Sequence, residues 1–352
     1  MPGVPASFDD VHIGARVVVR ARLDPRRHAP FDGPSMTDAV GTLVARTDTD
    51  VTVSTRQGDV VIARDRIVAA KQIPPKPSRR GAAHLAISMA DLQRVSGPSW
   101  GALEREDLGD WQLRASLGFT QRGNSVLPVG EPGVPLTVAV DRIEAWYAAR
   151  SLPAAASLTG PVGFAPESDP LGAELLSRGW VAGSRTLNLT AATADVAAAD
   201  PGGPDVHVAE ELDESWSEAY ALSRTVVPDA TAGVLQGSPR QLFGSIGLGG
   251  GLAQKLGLST PAARAPRPVA IARLGIAHGW AGLGAVWTDP AYRGRGLGSH
   301  LTARLAAAAG ADGIRLMHLQ VEADNATAIR LYERLGFDQH SSYVYLTQPS
   351  TG

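Results

Sequence analysis

A short stretch rich in glycine and arginine is the part of the sequence whose residue types point most directly to chemistry. Arg293-Gly294-Arg295-Gly296-Leu297-Gly298 stands between a predicted strand, 285–288, and a predicted helix, 299–309. Glycines let a backbone approach an anion closely, and the free N–H groups at a helix N-terminus attract negative charge. The stretch therefore predicts a phosphate-binding loop, although glycine-rich turns at such joints also arise for steric reasons alone.

A second motif follows downstream. Leu319-Gln320-Val321-Glu322-Ala323-Asp324-Asn325 leads into a predicted helix, 326–335, and then come Gly336-Phe337 and an alternating strand, 342–347. Over about 268–346, these parts and the glycine loop closely resemble the acetyl-CoA core of the GNAT N-acetyltransferase superfamily. The resemblance implies an α/β (α+β) GNAT fold with a mixed central sheet, and acetyl-CoA as the co-substrate.

Tyr332 lies in the predicted helix and has the chemistry of a general acid. A neutral amine can attack an acyl thioester if the enzyme polarises the carbonyl, removes the amine's proton and reprotonates the thiolate. A phenol with a pKa of about 10 is protonated at neutral pH. It can give its proton to a thiolate whose conjugate acid has a pKa of about 8.5. By resemblance, Tyr332 is the general acid; the alternative is a tyrosine that packs with Ile329 and Leu335.

The resemblance also implies which residues hold the cofactor. In the family, the strand before the loop pairs with the pantetheine arm through its backbone, and the loop holds the pyrophosphate. Asn325 matches a position that commonly contacts the cofactor, although asparagine there is also a good helix N-cap. The cofactor residues predicted in this way are Val286, Trp287, Thr288, Arg293, Gly294, Arg295, Gly296, Leu297, Gly298 and Asn325.

The general base is less sharply indicated. Several family members carry a carboxylate where this chain has Gln320, and an amide cannot take a proton at neutral pH. Glu322 lies on the same strand face by alternation, so we predict that Glu322 or a chain of water molecules acts as the base. A solvated acidic side chain at Glu322 is the alternative.

Composition limits the classes of protein to consider. A length of 352 residues suits two or three domains, and 33 basic against 35 acidic residues argue against a partner held by bulk charge, such as nucleic acid. The chain has no cysteine and its histidines lack ligand spacing, so no metal is predicted. Without a signal-peptide pattern or a membrane-length apolar run, we expect a cytoplasmic protein with no membrane partner.

The N-terminal part has a different pattern. Short predicted strands, 16–23, 39–47, 51–55 and 60–63, are separated by turns rich in Asp, Gly and Pro. This pattern predicts a small SH3-like β-barrel, which we assign to residues 1–78. A proline-rich linker, 74–78, would lead into the next unit.

The middle of the chain, 79–195, resembles a degenerate GNAT-like half. Its Leu175-Leu176-Ser177-Arg178-Gly179-Trp180 echoes the segment 331–337, and alignment on the glycine places Leu175 where Tyr332 stands. This half has no glycine-rich loop, so we predict that it binds no acetyl-CoA. A linker, 193–204, and a catalytic domain, 205–352, complete the predicted organisation.

The acetyl acceptor is predicted from a polar cluster, Arg122-Gly123-Asn124-Ser125, beside a predicted strand, 124–128. Guanidinium groups bind carboxylates bidentately, so Arg122 and Asn124 are the candidate substrate residues, while Arg114, Arg240 and Arg273 are further candidates. The alternative for each of these arginines is a surface or structural role.

The whole arrangement resembles an actinobacterial tandem-GNAT group with an N-terminal SH3-like barrel. A small-molecule amine such as glutamate is the favoured acceptor. The alternatives are a protein lysine, as in a histone-type acetyltransferase that docks its target through the barrel, a mycothiol synthase-like reaction, and a non-catalytic acyl-CoA sensor.

Overall fold

The computed structural model describes residues 16–23, 36–55, 58–72, 82–247 and 267–349. The chain divides into two compact units, Met1–Arg80 and Gly81–Gly352. The predicted linker 74–78 lies outside the described residues.

The N-terminal unit is a five-stranded antiparallel sheet of order β4-β3-β2-β1-β5. Alternate side chains of its strands are buried, among them Val17, Val19, Val51 and Val53, so one face of the sheet forms the core. Within the described residues β4 and β5 are opposite edges and do not pair with each other. The strands are β1 (Arg16–Arg22), β2 (Met36–Arg46), β3 (Asp50–Thr55), β4 (Gly58–Ala63) and β5 (Ile67–Gln72).

The second unit is built on an eight-stranded mixed sheet of order β10-β11-β12-β13-β14-β9-β15-β8. Neighbouring strands are antiparallel except for β13 and β14, which are parallel. A separate hairpin is formed by β6 and β7. The strands are β6 (Glu104–Leu108), β7 (Trp111–Ala115), β8 (Ala155–Gly160), β9 (Val181–Ala192), β10 (His207–Ala209), β11 (Arg240–Gly247), β12 (Pro268–Ala277), β13 (Trp280–Thr288), β14 (Leu316–Glu322) and β15 (Asp338–Thr347).

Nine α-helices accompany these strands within the described residues. They are α1 (Ala83–Ala86), α2 (Met89–Ser96), α3 (Leu136–Ala148), α4 (Pro170–Ser177), α5 (Thr193–Ala198), α6 (Glu214–Ala221), α7 (Pro228–Leu235), α8 (Leu297–Ala311) and α9 (Ala326–Arg334). The predicted helix after the glycine loop and the predicted helix carrying Tyr332 correspond to α8 and α9.

At β14, the large sheet separates two of the apolar cores of this unit. Met317, Leu319 and Val321 of β14 pack into the core that contains α8 and α9. Because side chains alternate along a strand, His318, Gln320 and Glu322 lie on the opposite face. That face has an aromatic core, which contains Trp100, Trp216, Phe243 and Trp287.

The two predicted GNAT-like halves share this sheet. Strand β9, from the first half, pairs with β14 on one side and β15 on the other, and β8 pairs with β15. The predicted linker 193–204 is wrong in its first part, because α5 forms there and buries Thr193 and Val196.

The predicted strand 124–128 is also wrong. A 3-10 turn, Arg122–Asn124, is followed only by isolated bridges at Val126 and Leu127. The turn forms because the Asn124 side chain satisfies nearby backbone groups, which competes with a strand ladder.

Candidate active site

The large sheet splits open between β13 and β14. Their parallel pairing runs from Trp280 opposite Leu316 to Leu283 opposite Leu319, and it ends there. Ala285 has a φ of +53°, and the register between β12 and β13 shifts at this point, so β13 bends away. Strand β14 continues beside β9 as far as Glu322.

Because of the split, the C-terminal end of β13 has no hydrogen-bonded neighbour on the side that faces β14. This holds among the described residues. This end contains Val286, Trp287 and Thr288, the predicted pantetheine contacts. Unpaired N–H and C=O groups on a strand edge can bind an extended ligand that carries amides. The geometry therefore fits the role that the sequence predicted for these residues.

The glycine loop is open and leads directly into α8. Gly294 and Gly296 have φ values of +74° and +77°, and a Cβ at Gly294 would meet no atom within 4 Å. Gly296 is the N-cap of α8 and no side chain caps the helix, so its first N–H groups face the exposed loop. These residues fit a pyrophosphate, as the motif predicted.

The two arginines of the loop are exposed. Arg293 donates from Nε to the Thr288 carbonyl at 3.1 Å, which ties the loop to the end of β13. The guanidinium of Arg295 lies 5.7 Å from the centre of the Tyr292 ring. Both contacts leave donors for an anion, because a guanidinium carries five N–H groups.

Tyr332 is a buried phenol on α9. Its side chain packs edge-on against Phe337, with ring centres 5.8 Å apart. Burial raises the pKa of Tyr332 to about 12, and Arg224 opposes this shift. The hydroxyl therefore stays protonated at neutral pH, and it forms no hydrogen bond with another described residue.

A cavity of about 310 Å³ opens where the sheet splits. Its charged lining residues are Arg122, Arg224 and Glu322, and its aromatic ones are Trp100, Tyr343 and Tyr345. Such a mixture of apolar walls with a few charges is typical of a small-molecule site. The remaining lining residues are Thr120, Gln121, Ser184, Thr186, Leu283, Gly284, Ala285 and Gln320.

Arg122 is positioned to bind a ligand in this cavity. Its guanidinium lies 5.4 Å from the centre of the Trp100 ring. Its Nε atom is buried and has no hydrogen-bond partner among the described residues. An arginine held in place but without an acceptor is the expected state of a carboxylate-binding residue before its ligand arrives.

The other candidate arginines have structural partners. Arg240 forms ion pairs with Glu210 and Asp312. Arg273 is fully buried, and burial lowers its pKa to about 9. Its guanidinium donates to the carbonyls of Leu235 and Ser99. Neither of these arginines lines the cavity.

Asn124 does not match its predicted role as a substrate ligand. Its Oδ1 accepts from the N–H groups of Ser116 and Gly118, and its Nδ2 donates to the carbonyls of Phe119 and Thr120. These bonds use the capacity of the amide, and the residue does not line the cavity. Asn124 instead positions the turn that carries Arg122.

Glu322 is the candidate base, and Asn325 is the predicted cofactor residue that lies outside β13 and the glycine loop. They lie at the two ends of the short connection between β14 and α9. Glu322 is exposed and lines the cavity beside Gln320, whose Oε1 accepts from the Tyr343 hydroxyl at 3.4 Å. Asn325 caps α9 by accepting from the Ala328 N–H at 3.1 Å. Its Nδ2 is left for other contacts, so the cap and the predicted cofactor contact are compatible.

Of the six charged and aromatic cavity residues, four were not predicted from the sequence. Tyr343 and Tyr345 alternate on the predicted strand 342–347, so their shared face was a usable signal. Trp100 and Arg224 come from distant parts of the chain, and only tertiary structure brings them to the site.

The described residues show neither of two other kinds of site, a metal centre or a membrane-spanning helix. Over the described residues, no group of three or more His, Cys, Asp or Glu side chains is arranged to hold a metal ion. No helix in that part of the chain is both long and apolar enough to span a membrane.

Two family models match the chain. The model described as "Probable histone acetyltransferase Rv0428c C-terminal" matches residues 88–346, and "Rv0428c N-terminal Sm-like domain" matches residues 11–71. The second match describes the predicted small N-terminal β domain as Sm-like and does not confirm the SH3-like barrel. Strand alternation alone could not distinguish the two, because both are small antiparallel β structures.

Individual relatives are similar over shorter stretches. The probable histone acetyltransferase Rv0428c of Mycobacterium tuberculosis is 33% identical over 141 residues, which are 40% of this chain and 42% of that protein. A mycothiol acetyltransferase of Brachybacterium faecium is 40% identical over 67 residues, 19% of this chain and 20% of that protein. The matches thus span less than half of the length of these relatives.

A solved structure is similar over most of the chain. It is a GCN5-related N-acetyltransferase from Kribbella flavida, with a TM-score of 0.50 and 22% identity, and the match covers 75% of this chain and 97% of that one. The likeness confirms the predicted GNAT fold.

Proposed function

Because the chain belongs to the family of GNAT-type acetyltransferases described by the C-terminal part of Rv0428c, we propose that it transfers acetyl from acetyl-CoA directly to a primary amine. The favoured acceptor is a small amino acid that carries a carboxylate, such as glutamate. The observation that carries the proposal is the cavity at the split of the sheet, which contains Arg122 without a carboxylate partner among the described residues.

When bound, acetyl-CoA supplies the acyl thioester. The glycine loop and the N-terminus of α8 hold its pyrophosphate, and the free edge of β13 holds its amide-bearing arm. Both features lie beside the split, so the thioester would reach the acceptor cavity from one fixed direction. Positioning of this kind supplies much of the rate enhancement in acyl transfer.

Two side chains move the protons. Glu322, or a water molecule that it holds, removes a proton from the acceptor amine as the amine nitrogen bonds to the acetyl carbon. Tyr332 gives its proton to the sulfur as the carbon–sulfur bond breaks. The burial that raises the pKa of Tyr332 also raises the pKa of a thiol beside it. The phenol can therefore still protonate the departing thiolate.

The charges in the cavity favour an acceptor with a carboxylate. Arg122 and Arg224 supply two positive charges, and Glu322 supplies one negative charge. An amino acid can place its carboxylate near the guanidinium groups and its amine near Glu322. The side chain of a protein lysine brings only a positive charge, which the two arginines repel.

Two relatives favour other acceptors. The name of the Mycobacterium tuberculosis relative supports a protein lysine, with the Sm-like unit as a docking module. The name of the Brachybacterium relative supports a cysteinyl pseudo-sugar. Both are acetyl-CoA-dependent alternatives at the same catalytic residues.

An acceptor screen separates these possibilities. Purified full-length protein is incubated with acetyl-CoA and with glutamate, alanine, a lysine peptide or a cysteinyl pseudo-sugar, and CoA release is measured while mass spectrometry identifies the product. We expect N-acetylation of the free amino acid, and we expect a chain without residues 1–80 to retain it. Acetylation of the lysine peptide alone, lost with residues 1–80, would replace this proposal with the protein-directed one.

A further inference from the structure

A second, much smaller cavity, the inner cavity, adjoins the acceptor cavity. It has a volume of about 10 Å³ and shares Arg122, Gln320, Tyr343 and Tyr345 with the larger one. Its inner wall is formed by Gln93 and Arg114. A space of this size accommodates one oxygen-sized group.

Two residues that line the inner cavity each have a buried donor without an acceptor among the described residues. Nε2 of Gln93 and Nε of Arg122 are inaccessible to solvent and have no hydrogen-bond partner among the described residues. Gln93 is only 4% exposed, so water at the surface does not supply the hydrogen bond that its amide lacks. Unpaired buried donors destabilise a fold, and residues that keep them at such a cost commonly serve a ligand.

The charges at the inner cavity point to an anion. Arg114 is 3% exposed, and among the described residues its guanidinium donates only to the carbonyl and the hydroxyl of Ser125, at 3.0 and 3.1 Å. Two guanidinium groups therefore line the inner cavity, and none of its lining residues is acidic. Burial lowers the pKa of Arg114, and a nearby anion would offset this effect.

We propose that the inner cavity binds one oxygen of a second carboxylate on the acceptor. This oxygen accepts hydrogen bonds from Gln93 and Arg122. The inference rests on the proposed function and narrows the acceptor to a dicarboxylic amino acid. Arg122 lines both cavities, so it can hold this carboxylate where they meet. The other carboxylate stays in the larger cavity, where Arg224 supplies a second positive charge.

The test is Gln93→Leu, a substitution of similar size that removes the unpaired amide. The measured quantity is the ratio of kcat/KM for glutamate to kcat/KM for 2-aminobutyrate, which lacks the second carboxylate. We expect this ratio to favour glutamate in the parent protein and to fall at least about tenfold in the variant. Tm should stay the same or rise, because an unsatisfied donor has been removed.

Gln241→Leu is the matched control. Gln241 also has an unpaired buried amide atom, but it lies on β11 and lines neither cavity. In Gln241→Leu, the ratio of kcat/KM for glutamate to kcat/KM for 2-aminobutyrate should equal that of the parent protein. If Gln93→Leu does not fold, Gln93→Met tests the same loss.

The outcomes separate the inference from the proposed function. Equal use of glutamate and 2-aminobutyrate by the parent protein, or an unchanged ratio in Gln93→Leu, would overturn the inference and leave the proposed function standing. A uniform loss with both acceptors would also overturn it, because that result indicates a structural water and not a carboxylate. Failure to acetylate any free amino acid would overturn both.

Discussion

Two turns in the large unit have the same backbone and different chemistry. Helices α4 and α9 each end just before a glycine of positive φ, +82° at Gly179 and +92° at Gly336. An aromatic residue follows each glycine, and its N–H donates back into the helix. Trp180 donates to the Leu175 carbonyl at 3.1 Å, and Phe337 donates to the Tyr332 carbonyl at 3.0 Å.

The side chain inside each turn makes the difference. Leu175 is fully buried and packs in an apolar core with Trp180, whereas Tyr332 packs against Phe337 and adds a hydroxyl. The backbone motif is therefore a packing device that both regions retain. The capacity to donate a proton depends on one side-chain group that only the C-terminal turn has.

The helix before α4 is α3, and the helix before α9 is α8. The N-termini of these two helices also differ in their ability to bind an anion. Helix α8 begins after two glycines in an open loop, with free N–H groups. Helix α3 begins after Glu131-Pro132-Gly133-Val134-Pro135, where an acidic side chain repels anions and the prolines lack an N–H group. These differences support the proposal that acetyl-CoA binds at the C-terminal region and not at the region that contains Leu175.

The largest expected effect comes from removing the hydroxyl that distinguishes the two turns. Tyr332→Phe should lower kcat by roughly 10²–10⁴, with nearly unchanged affinity for acetyl-CoA, because only the proton donor is lost. The measurement is steady-state CoA release. Leu175→Met, a change within the other turn, should leave kcat unaffected. Turnover near that of the parent in Tyr332→Phe would make Tyr332 a packing residue like Leu175.

The next effect concerns the two glycines of positive φ. Gly296→Glu places a carboxylate in the predicted pyrophosphate site and should raise KM for acetyl-CoA by about 100-fold or more. Gly179→Glu imposes the same backbone strain in the other region and should leave this KM unchanged. Equal effects of the two substitutions would mean that strain, and not anion binding, explains the result.

A smaller effect is expected in the acceptor cavity. Arg122→Ala should raise KM for the amino acid by about 10- to 100-fold, since charge-assisted hydrogen bonds contribute about 1.5–3 kcal/mol. KM for acetyl-CoA should not change. Arg240→Ala removes an arginine whose ion pairs lie away from the cavity and serves as the control. A rise in KM for acetyl-CoA instead would place Arg122 at the cofactor.

The smallest effect concerns stability at high pH. The pKa of Tyr332 is about 12 in the folded protein and about 10 in the unfolded chain, so the unfolded chain loses its proton first. The free energy of unfolding therefore falls as the pH rises from about 10 to about 12. Tyr332→Phe should avoid about 1 kcal/mol of this loss at pH 11, as measured by urea unfolding. An identical pH dependence in both proteins would show that the phenol is not shielded from water.

The sequence predicted those parts of the site that lie close together along the chain. The glycines from Gly294 to Gly298, the helix after them and the helix with Tyr332 follow from local backbone and side-chain rules. The GNAT fold was predicted from the same segments.

Long-range pairing could not be predicted in this way. Nothing in the sequence of β9 shows that it inserts between β14 and β15, because strand order depends on partners far along the chain. Trp100 and Arg224 reach the cavity through such tertiary contacts. Asn124 was assigned to substrate because its polarity was visible, whereas the four backbone groups that occupy its amide were not.

Titration of the full-length protein with acetyl-CoA by calorimetry tests the central claim most directly. If only the C-terminal region retains the phosphate-binding loop and the open strand edge, one molecule of acetyl-CoA binds per chain. Binding of two molecules per chain would show that the region containing Leu175 is also competent, and it would contradict the account.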